Sequence, residues 1–259
     1  MENNETMYVE EPPIIQADHV VVEHRKNPTE YIRAVDDISL SIWRGEFVAL
    51  YGPAEAGKTS LLQVLSGLNK PTSGQIIIDG QDVTKLPTNK LASLRSERFG
   101  FLFHTHHLVN TLTIIENVML PLRYRKMSAQ ESERVAGEWL VRVGLGERLY
   151  HRPSELNANE QQRAALARSL VNEPMIIFAD EPTANMDLAS AQQLIELMRG
   201  LNYTFGQTYI VTTNDEQIAS MCDRAVRINK GRIEDDTSWH YDNDVDGVEV
   251  DTELGNEEN

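Results

Sequence analysis

The fold is decided by the stretch 46-EFVALYGPAEAGKTS-60, which runs from Glu46 to Ser60. Residues 46–51 are mainly apolar and predict a buried strand, and residues 59–68 have the apolar spacing of a helix. Between them, residues 52–59 fit the pattern G-x-x-x-x-G-K-[ST]. Successive backbone amides and a helix N-terminus direct partial positive charge at phosphate groups, so the sequence predicts a phosphate-binding loop. The alternative is a chance glycine-rich turn, which the flanking strand and helix disfavour.

Four polar side chains predict nucleotide chemistry: two in this loop, and two that follow a predicted strand much later in the chain. Lys58 adds a full positive charge beside the phosphates, and the hydroxyl of Thr59 is a ligand for Mg²⁺. Asp180 and Glu181 follow the apolar run 175–179, which places both carboxylates at the C-terminal end of a predicted strand. There Asp180 can hold Mg²⁺, and Glu181 can orient and deprotonate an attacking water molecule.

The composition is that of a folded protein with a strong negative charge. With 259 residues, of which 41% are hydrophobic, the chain can bury the core of one large or two small globular units. The formal net charge of −16 disfavours nucleic acid as the main partner, because phosphate backbones attract cationic surfaces. The single cysteine, Cys222, fits a reducing compartment. We see no signal pattern and no apolar run of about 20 residues, so we expect a cytosolic protein.

Periodicity divides the chain into segments. Residues 14–42 alternate short β-branched stretches with polar turns and predict a small antiparallel sheet. Residues 87–156 predict a helical insert, in which two helices begin with capping boxes. The boxes pair Thr113 with Glu116 and Ser128 with Glu131.

Alternating strands and helices predict an α/β fold with a largely parallel, covered sheet. The predicted strands are 46–51, 175–179 and 208–213, and the helices between them include 59–68 and 188–201. We expect a disordered N-terminus at 1–13, one domain at 14–233, and a disordered tail at 234–259. The tail is rich in Asp and Glu and holds no Lys or Arg.

Several motifs resemble those of one protein family. The run Glu181-Pro182-Thr183-Ala184-Asn185-Met186-Asp187 is similar to the D-E-P-T-x-x-L-D segment of ABC-type ATPases, with Met186 in place of leucine. The upstream run 161-QQRAALARSL-170 fits the same family. Four further runs resemble most the lipoprotein-release and macrolide-export ATPases of the LolD and MacB kind: 100-GFLF-103, 106-HHL-108, 116-ENV-118 and 152-RPSEL-156. The resemblance covers about residues 15–233.

The resemblance implies a P-loop NTPase fold of the ABC type, with a RecA-like core, an N-terminal antiparallel β subdomain and a helical subdomain at about 87–156. It implies an ATPase that binds ATP and Mg²⁺ and pairs head to tail with a second ATP-binding subunit. Closure of the pair would drive an integral membrane permease, with this chain peripheral on the cytoplasmic face of the cell membrane. Tyr31 would stack on adenine, unless it is only packed in the sheet, and Asp187 would belong to the loop that links the two ATP sites.

The chain departs from this family at its signature motif. Leu156-Asn157-Ala158-Asn159-Glu160 stands where L-S-G-G-[QE] is usual. Asn157 can still cap a helix, and Asn159 tolerates left-handed backbone geometry. The added side chains at 158 and 159 are nevertheless expected to crowd the approach to ATP.

Three further positions are altered. His104 replaces a glutamine that senses Mg²⁺, Asn214 replaces a histidine that contacts the γ-phosphate, and Glu55 replaces a glycine of the phosphate loop. Since each change weakens transition-state stabilisation, we expect slow hydrolysis. Two readings stay open: lineage drift with activity retained, or a degenerate site that an intact partner completes in a heterodimer.

The leading hypothesis is an ATP-binding subunit that hydrolyses Mg-ATP slowly and drives a separate permease, which would meet residues 104–122. A nucleotide-binding regulator without useful turnover is the alternative. A soluble ATPase acting on DNA or ribosomes is disfavoured by the negative charge.

The predicted site residues fall into three groups. For catalysis they are Glu181, Lys58, Asn214 and His104, and for Mg²⁺ they are Thr59, Asp180 and His104. For ATP binding they are Tyr31, Gly52, Pro53, Ala54, Glu55, Ala56, Gly57, Lys58, Thr59, Ser60, Asn157 and Asn159.

Two other metal patterns are weaker. Residues 242–253 fit the spacing of a calcium loop, but the flanking sequence does not predict the helices that such a site needs. His104, His106, His107 and His151 suggest a metal cluster, yet no cysteine or carboxylate nearby completes a ligand shell. We favour neither site.

Overall fold

A computed structural model describes residues 12–27 and 30–238. Within them, the strands are β1 Ile15–Asn27, β2 Glu30–Ile42, β3 Phe47–Tyr51, β4 Ser73–Ile78, β5 Gln81–Asp82, β6 Phe99–Phe103, β7 Ile176–Asp180, β8 Thr208–Thr213, β9 Arg224–Asn229 and β10 Arg232–Ser238. The α-helices are α1 Lys58–Leu65, α2 Thr88–Arg98, α3 Ile114–Met119, α4 Ala129–Arg142, α5 Ala158–Leu170, α6 Leu188–Phe205 and α7 Glu216–Ala219. Short 3₁₀ turns cover Leu120–Tyr124 and Pro153–Glu155.

Within the predicted segment 14–42, β1 and β2 pair antiparallel, and β4 and β5, which were not predicted, complete a four-stranded sheet of order β2-β1-β4-β5. Along β2, Val35, Ile38, Leu40 and Ile42 are buried, and the last three alternate with exposed or half-buried residues. This alternation is typical of a sheet with one face on the core and one face in water.

A second sheet of six strands has the order β10-β9-β3-β8-β7-β6. Every neighbouring pair is parallel except β10 with β9, which confirms the prediction of a largely parallel sheet. A hydrophobic core lies on each face of this sheet, and alternate residues of β3 contribute to one or the other. Phe47 and Ala49 pack in the core with α3 to α6, while Val48 and Leu50 pack in the core with α1 and the antiparallel sheet. Because both faces are covered, the strands are continuous apolar runs.

The predicted helical insert at 87–156 is wrong in one respect, because it contains β6. This strand pairs in parallel with β7 and so belongs to the large sheet. Within this range, α3, α4 and the short turns at Leu120–Tyr124 and Pro153–Glu155 follow β6, whereas α2 precedes it. Gly100 permits close packing on α5, since an added Cβ would lie 2.3 Å from the carbonyl oxygen of Ser169.

Of the two predicted capping boxes, one is complete and the other is only half formed. Thr113 and Glu116 form the full capping box at the start of α3. The Ser128 hydroxyl accepts from the Glu131 amide, but the Glu131 carboxylate pairs with Arg134 instead of closing the box.

The predicted tail boundary at residue 234 also differs from the structure, because β10 continues to Ser238. Arg224 explains the extension: its guanidinium donates to both carboxylate oxygens of Asp236, at 2.6 and 2.7 Å. The acidic segment 234–238 therefore pairs with β9 instead of leaving the domain.

Two predicted segments lie outside the described residues. They are residues 1–11 of the predicted N-terminus and the remainder of the predicted tail, which includes the calcium pattern at 242–253. In the described part, no helix is both long and apolar enough to cross a membrane.

Candidate active site

The phosphate loop connects β3 to α1 at the C-terminal edge of the large sheet. Helix α1 begins at Lys58, directly after Gly57, and no side chain caps its N-terminus. The free amides of this helix start therefore face a cavity of about 160 Å³, which is an arrangement that attracts anions. The cavity is lined by Ala34, Glu55, Ala56, Gly57, Lys58, Thr59, Ser60 and Glu181.

Two glycines hold the loop against neighbouring backbone. Gly52 has φ 149°, and an added Cβ would lie 2.0 Å from the carbonyl oxygen of Ile228. Gly57 has φ 104°, and its Cβ would lie 2.0 Å from the carbonyl oxygen of Ala34. Only glycine fits both positions, so the loop shape depends on them.

The Lys58 ammonium is buried and fully hydrogen-bonded. It donates to the carbonyl oxygens of Gly52 and Pro53, at 3.0 and 2.8 Å, and to Oδ1 of Asn214 at 2.5 Å. Burial lowers the pKa of Lys58, while the charges of Glu181 and Asp180 oppose this shift. The predicted lysine thus lies at the cavity beside both predicted carboxylates.

Asp180 at the end of β7 is fixed by two hydroxyl groups. Thr59 Oγ1 donates to Asp180 Oδ1 at 3.0 Å, and Thr212 Oγ1 donates to the same oxygen at 2.7 Å. The next residue, Glu181, has left-handed geometry with φ 45°, and its amide donates to Thr212 Oγ1 at 2.8 Å. Thr212 is therefore a site residue that sequence reasoning missed, although a threonine pair at a strand end was a visible signal.

His104 and Asn214 lie at the same sheet edge. The His104 amide donates to the carbonyl oxygen of Asp180 at 3.2 Å, and its side chain is exposed just past β6. Asn214 follows β8 and contacts Lys58, as described above. Four adjacent strands, β3, β8, β7 and β6, therefore deliver predicted residues to one edge, where ligands bind in open α/β sheets.

Tyr31 and Glu55 are two predicted ATP-binding residues that are exposed. Tyr31, near the start of β2, is 59% exposed, so its ring is not packed in the sheet core.

The Ser60 hydroxyl and His24 Nε2 are hydrogen-bonded at 3.1 Å, which connects β1 to the start of α1. Glu55 is exposed, lines the cavity and has φ 62°. The glutamate therefore takes the left-handed geometry that glycine adopts without strain.

The altered signature begins α5 and is not joined to the phosphate cavity by any hydrogen bond among the described residues. Asn157 caps the helix as expected, in a box with Glu160. Asn159 does not use the left-handed geometry that asparagine tolerates, because it lies in the first turn of α5. Its side chain amide donates to Ser190 Oγ at 2.8 Å. Arg168 donates to the backbone carbonyl oxygens of His106 and His107, and no set of three or more possible metal ligands of the His, Cys, Asp and Glu types is grouped in the described part of the chain.

Comparison with known proteins places this site in a family. The sequence profile described as ABC transporter matches residues 35–184. An uncharacterized ABC transporter ATP-binding protein of Thermotoga maritima is 40% identical over 203 residues, which cover 78% of this chain and 86% of the relative. The chain belongs to the ABC transporter ATP-binding proteins.

Two other similarities extend this assignment. A macrolide export ATP-binding/permease protein MacB of Hyphomonas neptunium is 39% identical over 226 residues, 87% of this chain but only 35% of the relative. A dimeric post-hydrolysis structure of the ATP-binding cassette MJ0796, bound to ADP and Pi, aligns with a TM-score of 0.80 and 33% identity over 87% of this chain and 98% of that chain. These findings confirm the predicted ABC-type fold, the MacB-like resemblance, and the function of an ATP-binding, ATP-hydrolysing transporter subunit.

Proposed function

We propose that this subunit hydrolyses Mg-ATP in the cavity between the phosphate loop and Glu181, and so drives a membrane permease. One observation carries the proposal: Lys58, Thr59 and Glu181 line the same cavity, and Asp180 is bonded to Thr59 at its edge. A cation, a hydroxyl and two carboxylates are the side chains that phosphoryl transfer to water requires.

Phosphate binding falls to the loop and to the start of α1. The backbone amides of 57–60 and the Lys58 ammonium supply positive potential to the triphosphate. Lys58 now donates to two loop carbonyls and to Asn214, so its position is set before ATP arrives. Exposed Tyr31 is the aromatic side chain that we assign to the adenine ring.

Thr59 and Asp180 are the residues that would hold Mg²⁺. Their side chain oxygens lie 3.0 Å apart, and hydroxyl and carboxylate oxygens are ligands of the type this ion prefers. When bound, the ion neutralises negative charge on the phosphates. His104 stands at the same edge, but an imidazole nitrogen suits Mg²⁺ less well than the glutamine oxygen it replaces.

Glu181 orients the attacking water and accepts its proton, and Asn214 offers a neutral hydrogen bond to the γ-phosphate. The Glu181 backbone is fixed by Thr212, which holds the carboxylate at the cavity. Asn214 cannot carry a proton, unlike the histidine at this place in the family. We therefore expect hydrolysis to be slow, at about 1.4 kcal/mol of barrier for each tenfold loss in rate.

The partners that we propose are a second ATP-binding subunit and an integral membrane permease. MJ0796 is named as a dimer, and the MacB relative is named as both ATP-binding and permease protein. In a homodimer, both sites would carry the altered signature, whereas an intact partner would restore one of them. A groove of about 440 Å³, lined in part by Phe101, Phe103 and Tyr124, lies beside the segment proposed to meet the permease. The chain would then act at the cytoplasmic face of the membrane.

Equilibrium binding of Mg-ATP tests this proposal. We expect Lys58→Ala to weaken binding by about tenfold or more, because it removes charge-assisted hydrogen bonds to phosphate. Lys90→Ala, on the exposed face of α2, is the matched control and should bind as wild type does. A wild-type protein that fails to bind Mg-ATP up to millimolar concentration would rule the proposal out.

A regulator that binds ATP without useful turnover is the second candidate. The altered residues 157–159 and the neutral Asn214 favour it, since both weaken catalysis more than binding. It predicts ATP-dependent dimerisation, together with a Glu181→Gln variant that behaves as wild type.

A further inference from the structure

The side chain of Asn159 begins a chain of hydrogen bonds between two helices. Its Nδ2 donates to Ser190 Oγ at 2.8 Å, and Ser190 Oγ donates to Asp187 Oδ2 at 2.8 Å. The Ser190 amide also donates to Asp187 Oδ1 at 3.0 Å, so Asp187 caps α6. The first turn of α5 is thereby connected to the cap of α6.

A second hydrogen bond connects α5 to the loop that follows Glu181. Gln162, one turn further along α5, is fully buried, and its Nε2 donates to the carbonyl oxygen of Pro182 at 2.7 Å. Pro182 directly follows Glu181. The loop from Glu181 to Ser190 is therefore held to α5 at both ends.

The chemistry of Ser190 explains why an amide is useful at position 159. A serine hydroxyl has one proton, and here it is given to Asp187. The oxygen then needs a donor from elsewhere, and the Asn159 amide nitrogen supplies one. Successive hydrogen bonds of this kind strengthen one another. A residue without a side chain donor at 159 would leave the Ser190 oxygen to water.

The hydrogen bonds from Ser190 also affect the charge of Asp187. The backbone and hydroxyl bonds from Ser190 both favour the ionised carboxylate and lower its pKa. The cap of α6 is therefore a fixed carboxylate whose geometry depends on Ser190.

We infer that Asn159 is a positioning residue: it fixes Ser190 and, through it, Asp187, so that the loop after Glu181 is held in register with α5. The substitution at the signature acts on this loop within its own chain. Its effect on turnover rests on the proposed function, but its effect on the loop does not.

Amide hydrogen exchange in the nucleotide-free protein tests the inference directly. We expect Asn159→Ala to speed exchange of the amides at 187–190 by about fivefold, the effect of losing one typical hydrogen bond. Ser190→Ala should speed it at least as much, and the double variant no more than Ser190→Ala alone. Ser190→Thr keeps the hydroxyl and should exchange as wild type does.

Unchanged exchange in Asn159→Ala, or effects of the two alanine substitutions that add, would overturn the inference. Steady-state ATP turnover separates positioning from contact with nucleotide. Asn159→Ala should lower kcat by a few-fold with KM for ATP unchanged. A raised KM with unchanged kcat would show that Asn159 touches ATP instead. A wild-type protein without turnover would count against the proposed function, while the exchange data would still decide the inference.

Discussion

At the scale of single residues, the contact between Lys58 and Asn214 shows how an altered position can still serve phosphate. An ammonium group only donates hydrogen bonds, so the Asn214 oxygen is the atom that faces Lys58 at 2.5 Å. The amide NH₂ of Asn214 is therefore not the group that binds Lys58, and it is the donor that we propose for the γ-phosphate. In the proposed mechanism, the neutral asparagine would donate a hydrogen bond but would not transfer a proton.

Glu55 gives a prediction at the same scale. Its φ of 62° costs a residue with a side chain about 1 kcal/mol or more relative to glycine. Its carboxylate also lines the cavity that we assign to phosphate. Glu55→Gly should therefore raise the free energy of unfolding by about 1 kcal/mol and tighten ATP binding by about fivefold. Denaturant unfolding and ATP titration measure the two effects.

Glu173 provides the control for this prediction. It is also exposed, with φ 50°, but it lies at the opposite end of the large sheet, before β7. Glu173→Gly should raise stability in the same way and leave ATP affinity unchanged. Equal changes of ATP affinity in both variants would mean that the Glu55 charge does not reach the phosphates.

At the scale of elements, the attachment of β10 depends on Arg224. The guanidinium is 9% exposed and binds Asp236, Glu46 and the carbonyl oxygen of Ser41. We expect Arg224→Met to lower the free energy of unfolding by about 2 kcal/mol, less than for a fully buried pair because Asp236 is partly exposed. Chemical denaturation measures the loss.

Arg227, on the same strand, is the matched control. It pairs with Glu234 at 3.5 Å, and both side chains are largely exposed. Arg227→Met should change stability by about 0.5 kcal/mol or less, since exposed ion pairs contribute little. Similar losses in the two variants would show that charge number, and not burial, holds β10.

The elements also show what the sequence could predict. Strands β3 and β8 were predictable because buried parallel strands are apolar runs bounded by polar residues. Strand β6 was missed because 99-FGFLF-103 lies between helices and has no alternation to identify it. The end of β10 was missed because its acidic composition resembles that of the tail, whereas in the fold Asp236 pairs with Arg224 and Glu234 pairs with Arg227.

The candidate site divides in the same way. Lys58, Thr59, Asp180 and Glu181 follow from local motifs, whose spacing fixes their chemistry. Thr212 and Ser190 act only through contacts made in the folded chain, with Asp180 and Asn159. The threonine pair 212–213 was visible at a predicted strand end, but sequence spacing does not fix the contact of Thr212 with Asp180 or that of Ser190 with Asn159, so these contacts needed the structure.

At the scale of the whole molecule, one sheet edge collects the groups for ATP chemistry. Strands β3, β6, β7 and β8 are hydrogen-bonded in one sheet, so the residues after them are held on rigid neighbouring supports. Tyr31, which we propose for the adenine ring, is an exposed residue of β2 in the antiparallel sheet. The altered signature lies at the start of α5, and no hydrogen bond among the described residues joins it to this cavity.

Phosphate release from Mg-ATP by wild type and by Glu181→Gln tests the central claim most directly. We predict slow but measurable release by the wild type, and release at least about 100-fold slower by the variant at unchanged ATP affinity, because a general base is lost. Glu196→Gln, exposed on α6, should match the wild type. Equal release rates for wild type and Glu181→Gln would contradict the account, since Glu181 would then not activate the water.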